Sequence, residues 1–298
     1  MAITPYVSAA AFRAHPTAVD TEGINTAVDA IGDPDAQTAE LTNLLLAASE
    51  WADNEVDQPL SAHLYTQRER VFAGRDGRLS LHADHGPVVE VTEVGYGYGP
   101  GALTTLTSPE VWVEQDTNLI ISMGSSGTVG WSGSLQFGSP AAGCDVFVQT
   151  TYVAGHVATV LTEPADEDDV SITVLDPTGI VPGGILRIWE PGVEESVAVA
   201  RDWVPPTPSS TPEPASVSLV RPLRNAHTEG HDLSGLSADL RKAIILHTIS
   251  QLLRPDSAAE AEYPDNASSS TRKDDSRPTG MGLLKEARRI LAGYGRVR

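Results

Sequence analysis

The sequence predicts an α+β fold: a helical core drawn from both chain ends, a large inserted β-rich region (sandwich- or barrel-like), and a C-terminal docking segment. Three observations predict it. Apolar residues recur at three- and four-residue spacing near both ends, they alternate through the middle, and a polar stretch sets off a last short amphipathic segment. The expected boundaries are 1–58 for the first helical part, 59–225 for the β insertion, 226–255 for the last core helix, 256–279 for a linker and 280–298 for a docking helix and tail.

Taken in order, Ser8 caps a short helix, Ala9 to Ala14, that must stop before His15-Pro16, because proline disfavours helical geometry in the residue before it. Asp33-Pro34 supplies an N-cap and a first-turn proline. Leu41, Leu44, Leu45, Ala48, Trp51 and Ala52 then lay one apolar stripe along a helix over 34–54, with Glu40, Glu50, Asp53 and Glu55 on its solvated face. From 60 to 225 the period becomes two. Strands are expected at Leu79–Leu81, Val88–Val94, Val111–Val113, Leu119–Ile121, Leu135–Phe137, Val146–Val148, Val170–Val174, Ile185–Trp189, Ser196–Ala200 and Val217–Val220. Asp176-Pro177-Thr178-Gly179 is a turn, with proline presetting φ and glycine accepting a positive one. Five prolines in 204–215 make a stiff extended loop. Helix returns after Ser237, with Leu240, Ala243 to Leu246, Ile249, Leu252 and Leu253 ahead of Arg254-Pro255. That apolar face is wide enough to be central to its domain or shared with a neighbouring subunit. Residues 256–279 read as a polar linker. Met281 to Ala292 forms a short amphipathic helix that needs a partner, because a helix of this length is marginal alone.

The charge is divided unevenly. Residues 272–298 hold eight basic and three acidic residues, a net +5, whereas the other 271 hold twelve basic and thirty-seven acidic residues, a net −25. So acidic a body repels nucleic acid, and the tail is suited to an acidic surface on another protein. No apolar run approaches the ~20 residues of a membrane span. The Met-Ala-Ile-Thr-Pro-Tyr start lacks a secretory pattern, so an intracellular origin is expected. Cys144 is the single cysteine, which rules out an intrachain disulfide and a Cys-based zinc site.

The remaining candidate motifs read as structure. His82 and His85, around Asp84, lack a third zinc ligand, and His227-Thr228-Glu229-Gly230-His231 with Asp232-Leu233-Ser234-Gly235 is a loop rather than a helical zinc motif. Gly130-Trp131-Ser132-Gly133-Ser134 misses the last glycine of a nucleophile elbow, and Gly95 to Gly101 lacks the lysine of a phosphate loop; both read as turns. Asp166-Glu167-Asp168-Asp169 is a solvated acidic loop without calcium-loop spacing. No catalytic set, metal site or cofactor site is expected, so the chain is not read as an enzyme.

Six segments, in order, carry a resemblance. They are Tyr6 to His15; Leu44 to Ala52; Leu79–Leu81 with Gly86 to Val94; Val170 to Ala200; His227 to Ala243; and Leu283 to Arg298. Together they resemble the head-to-tail adaptor (head completion, or head-tail connector) proteins of long-tailed bacteriophages over about half the chain. Residues 95–165 exceed a minimal adaptor of that kind. The resemblance implies a virion neck protein, assembled in the host cytoplasm, forming a homo-oligomeric ring of twelve subunits. That ring would sit between the portal protein and the next neck protein, a stopper or head-closure protein, with viral DNA passing through its lumen unbound and no membrane contact. It also implies that the C-terminal segment docks on the portal through Leu283, Leu284, Arg288, Arg289, Ile290, Leu291, Tyr294, Arg296 and Arg298. Two other classes fit parts of the sequence: a β-rich carbohydrate- or cell-surface-binding virion module, and a metal-dependent hydrolase.

Overall fold

The computed structural model describes residues 4–294 apart from 17–18, 22–23, 25, 28–29, 31, 75–77, 107–109, 123–142 and 254–279. The strand expected at Leu135–Phe137, the Gly130–Ser134 motif and the linker 256–279 lie outside these residues. The fold is α+β, with helices from both chain ends and antiparallel sheets between them. It divides into two compact units. One comprises Met1–Ser61, Val157–Pro205 and Glu213–Arg298; the other comprises Ala62–His156 and Pro206–Pro212. The expected insertion 59–225 is therefore shared between the units, its second half grouping with the helices.

In the first unit, α1 (Ala9–Ala14) begins where Ser8 Oγ accepts the Ala11 N–H and ends at His15. In α2 (Pro34–Val56), Asp33 accepts the Asp35 N–H, and the helix stops at Asp57, whose φ of 60° is left-handed. α3 (Ala238–Leu252) starts from Ser237, which accepts the Leu240 N–H. It is buried nearly all round, from Leu240 through Ser250. One apolar core joins Tyr6, Val7, Phe12, Leu41, Leu45 and Ala48 to Leu240, Ile244 and Ile249, so both chain ends build it. His247 of α3 stacks on Trp51 of α2 at 3.9 Å.

Tyr6 fixes the N-terminal segment to this core. Its N–H donates to Ser49 Oγ (3.0 Å) and its hydroxyl to Asp53 Oδ1 (2.8 Å), while the Ser61 N–H donates to that hydroxyl. Burial, and then the nearby Asp53 carboxylate, push the phenol far above its ordinary range. Deeper still, Arg241 donates to Tyr6 O (2.6 Å) and to Asp232 Oδ2 (2.8 Å), and the same carboxylate oxygen accepts the Ser8 N–H at 2.8 Å. Burial pushes the Asp232 carboxyl up, and Arg241 and the Ser8 N–H pull against it.

The strands of this unit are numbered with the rest of the chain. β8 (Ala158–Val160), β10 (Ile185–Trp189), β11 (Glu195–Ala198) and β13 (Asp232–Ser234) form one antiparallel sheet in the order β11-β10-β13-β8, and β9 (Ser171–Val174) pairs with β12 (Ala215–Ser218). Leu186 and Ile188 alternate inward from β10 onto a core with Leu161, Ile172, Val174, Val217 and Leu233. Asp232–Ser234, expected as loop, is thus a central strand. It holds only three residues between polar and glycine-rich neighbours, too few to show a period. The expected turn at 176–179 is present: Gly179 has φ 84° and the Thr178 N–H donates to Asp176 Oδ1.

The second unit has two sheets over one core. β1 (His63–Phe72), β7 (Asp145–Ala154), β3 (Val88–Gly99) and β4 (Ala102–Thr105) run in the order β1-β7-β3-β4, and β2 (Arg78–His82), β6 (Asn118–Ser122) and β5 (Glu110–Glu114) run as β2-β6-β5. Leu79, Leu81, Leu119 and Ile121 from one sheet share that core with Val94, Val146, Val148 and Tyr152 from the other. Gly95 to Gly99, read as a turn from sequence, belongs to β3, and only Pro100 and Gly101 turn. A Cβ on Gly97 would lie 2.1 Å from Ala102 O, so glycine there lets β4 come close.

Because Arg241 satisfies buried groups on two separate segments, the Tyr6 carbonyl and the Asp232 carboxylate, Arg241→Met should lower the unfolding free energy by about 3–5 kcal/mol in urea titrations. Adding Asp232→Leu should restore part of the loss, because the unpaired charge goes but the Tyr6 carbonyl and Ser8 N–H stay unsatisfied.

Candidate functional site

The segment expected to dock forms α4 (Gly280–Leu291), followed by a turn in which the Tyr294 N–H donates to Leu291 O. Leu283, Ala287, Ile290, Leu291 and Tyr294 fall at helical spacing on one face. In the structure that face lies on the helical core of the same chain. Ala287 and Leu291 are fully buried, and Leu283, Ile290 and Tyr294 pack partly buried beside them. The seat is mainly α3, with α2 at its margin. Burying each large side chain contributes on the order of 1.5–3 kcal/mol before ordering costs.

Two polar contacts fix the register. The Tyr294 hydroxyl meets Ser237 Oγ, the N-cap of α3, at 3.0 Å, and Arg288 Nε lies 3.2 Å from Glu55 Oε1 on α2. Arg289 is well exposed and pairs with Glu286 one turn earlier, at 2.7 Å. This pairing, with help from Lys242, holds the Glu286 carboxyl below its ordinary range. Leu284 is half-buried, outside that core cluster. Arg296 and Arg298 lie outside the described residues. The structure therefore gathers Leu283, Ile290, Leu291 and Tyr294 on one face, seats Arg288 against α2 and leaves Arg289 outward. The end of α2 carries a concavity of 420 Å³ lined by Glu50, Asp53, Asn54, Asp57, Gln58 and Pro59. Burial raises the Asp53 carboxyl there, against the Leu60 N–H and the Tyr6 hydroxyl, which lower it.

A second polar cluster was not foreseen. His227 Nδ1 lies 2.8 Å from Glu190 Oε2 and its Nε2 lies 2.8 Å from Glu195 Oε1, with the imidazole sealed from solvent. Glu190 also accepts from the Thr228 hydroxyl (2.9 Å) and N–H (3.1 Å), and His231 approaches it at 3.3 Å. The Arg224 N–H donates to Glu195. Those carboxylates lie more than thirty residues from His227, so no spacing in the 227–231 motif announces them. The imidazole cannot meet a substrate from its sealed position; the set fastens the 224–231 loop to the β10–β11 hairpin. His82 meets Asn118 and His85 stacks on Tyr65, and among the described residues no group of three or more His, Cys, Asp or Glu side chains is arranged so that it could hold a metal ion. Among the same residues, no helix is long and apolar enough to cross a membrane.

Two outcomes follow from this geometry. Leu291→Ala should cost about 2–5 kcal/mol in the seating of α4, visible as faster amide exchange across 280–291. Glu190 is under opposing influences. Burial raises its carboxyl, but Thr228, His227 and His231 together bring it below the ordinary 4.5. Its contribution to stability is therefore complete above that value and lost as pH falls through the lower folded one. Glu190→Gln should flatten this acid limb in thermal melts taken from neutral to acidic pH.

No known protein family matches the chain, and no curated protein does. Among solved structures it is similar to a chain of the neck of an empty GTA particle, computed with C6 symmetry, at 15% sequence identity and a TM-score of 0.31, over 93% of this chain and 84% of that one. At that TM-score the likeness is too distant to bear on the function of this chain.

Proposed function

We propose that the protein is a non-enzymatic virion component, a head-to-tail adaptor whose subunits form a ring, twelve in the full assembly, that docks on the portal and extends the DNA channel toward the tail. The observation that carries this reading is the amphipathic, basic α4, joined through residues 254–279 to a strongly acidic body. An amphipathic helix with an outward cationic edge is suited to a groove on a partner with acidic rims. The acidic body suits a channel that passes DNA without holding it, because a wall that offers phosphates no cations forms no binding sites. The six-segment resemblance of the sequence supports the same reading, with the portal on one side and a stopper or head-closure protein on the other.

In this reading Arg288, Arg289, Leu284, Arg296 and Arg298 meet the portal while the apolar face of α4 stays on its seat. A second reading, a β-rich module that binds carbohydrate or a cell surface, draws on the exposed Tyr98 and Trp112 of the second unit, since aromatic faces stack on sugar rings.

Mixing the purified chain with the portal of its own virus should give a stoichiometric ring on the portal in electron micrographs. Arg288→Gln with Arg289→Gln, which removes both charges without setting a carboxylate against Glu55 or Glu286, should leave the thermal melt within a few degrees of wild type and weaken portal binding at least tenfold. Unchanged portal binding by this variant would overturn the docking role of α4. Glycan binding by a monomeric chain that ignores the portal would favour the second reading.

A further inference from the structure

We infer that the seat on α3 and α2 which holds α4 is also filled by the α4 of a second copy, so that neighbouring subunits of the assembly exchange their C-terminal helices. The inference rests on the ring-forming reading and specifies how its subunits are joined.

Three observations carry it. The first is connection length. Twenty-seven residues, 253–279, separate the end of α3 from the start of α4, although the two helices pack directly on each other. A chain of that length can span up to about 90 Å, far more than a return onto an adjacent helix needs and enough to reach another copy. The second is the nature of the contact. α4 is held by its own face on α3, by Tyr294 on Ser237 and by Arg288 on Glu55. Every group of that seat is present in each copy, so the exchanged contact is the same contact, and geometry and local concentration alone select between them. The third is charge. A body of −25 repels its like, whereas the +5 segment that carries α4 is attracted to a neighbour's acidic α2 as strongly as to its own. Arg288 would then meet Glu55 of the neighbour, with Lys285 and Arg289 on the same helix in the seam between two acidic bodies. Where each copy gives its helix to one neighbour and receives one from another, the contact is head-to-tail, the type that generates a ring when its rotation closes.

The test uses the full chain. Equal amounts of unlabelled and nitrogen-15-labelled protein are mixed, concentrated, and treated with a short amine-reactive cross-linker. Lys242 of α3 acts electrostatically on Glu286 of α4, the neighbour of Lys285, so Lys242 and Lys285 report on the occupied seat. Monomer and oligomer fractions are separated and the isotopic origin of each linked Lys242–Lys285 pair is read by mass spectrometry. Exchange is expected to give mixed-isotope pairs in the oligomer, about half of the total for random mixing, and same-isotope pairs in the monomer. An oligomer with same-isotope pairs only would overturn the exchange and leave the ring reading standing. A chain that stays monomeric at every concentration, with same-isotope pairs only, would overturn the exchange and count against self-assembly of the ring.

Discussion

The helical unit depends on one buried guanidinium. Arg241 comes from α3, yet what it satisfies belongs elsewhere: the carbonyl of Tyr6 and the carboxylate of Asp232 in β13. Through that carboxylate it also orients the N–H of Ser8, the residue that caps α1. The guanidinium groups of Arg241 and Arg187 both lie over the ring of Trp189, at 4.5 and 4.2 Å, adding cation–π attraction. A charge this deep is costly unless paired, so the segment 6–8, β13 and α3 must be in place together or none is well placed. Apolar packing from Phe12, Leu41 and Ile244 supplies bulk stabilisation, and the Arg241 network supplies the register.

That register also prepares the place where the C-terminal helix sits. Ser237 caps α3 three residues after β13 ends, and its hydroxyl meets Tyr294. The charges of this helix stay outside the apolar contact: Arg288 reaches Glu55, and Arg289 is well exposed. Apolar packing and charge are thereby separated on one short helix. The inner face keeps the segment folded, and the outer edge stays available to a body of opposite sign.

Much of this was legible in the sequence. The caps at Ser8, Asp33 and Ser237 define three helix starts, because a side-chain oxygen ahead of an apolar stripe has one economical use. The strands around Leu79, Leu119 and Val146 show their period directly. Three things were hidden. Gly95 to Gly99 looks like a turn because glycine composition says nothing about a neighbouring backbone, and here the close approach of β4 requires the glycine at 97. Asp232–Ser234 is too short to declare itself. The apolar face of α4 was readable as a face, but periodicity shows only that a helix has an apolar side, and what covers it is a tertiary fact. The His227 cluster was out of reach for the same reason, since its carboxylates come from a distant hairpin.

The interleaving of the two units has a consequence for synthesis. Most of the unit drawn from 62–156 and 206–212 has been made once residue 156 is added, whereas α1 and α2 precede it and must wait for α3. Tyr6 and Arg241 are 235 residues apart, so at ordinary elongation rates the first waits roughly 10–50 s for the second. Throughout that interval Leu41, Leu45 and Ala48 of α2 have no α3 to cover them. The nascent chain thus presents a capped amphipathic helix whose partner in the core has not yet been made. On a polysome, where several such chains are made close together, that helix is the surface through which copies would first meet.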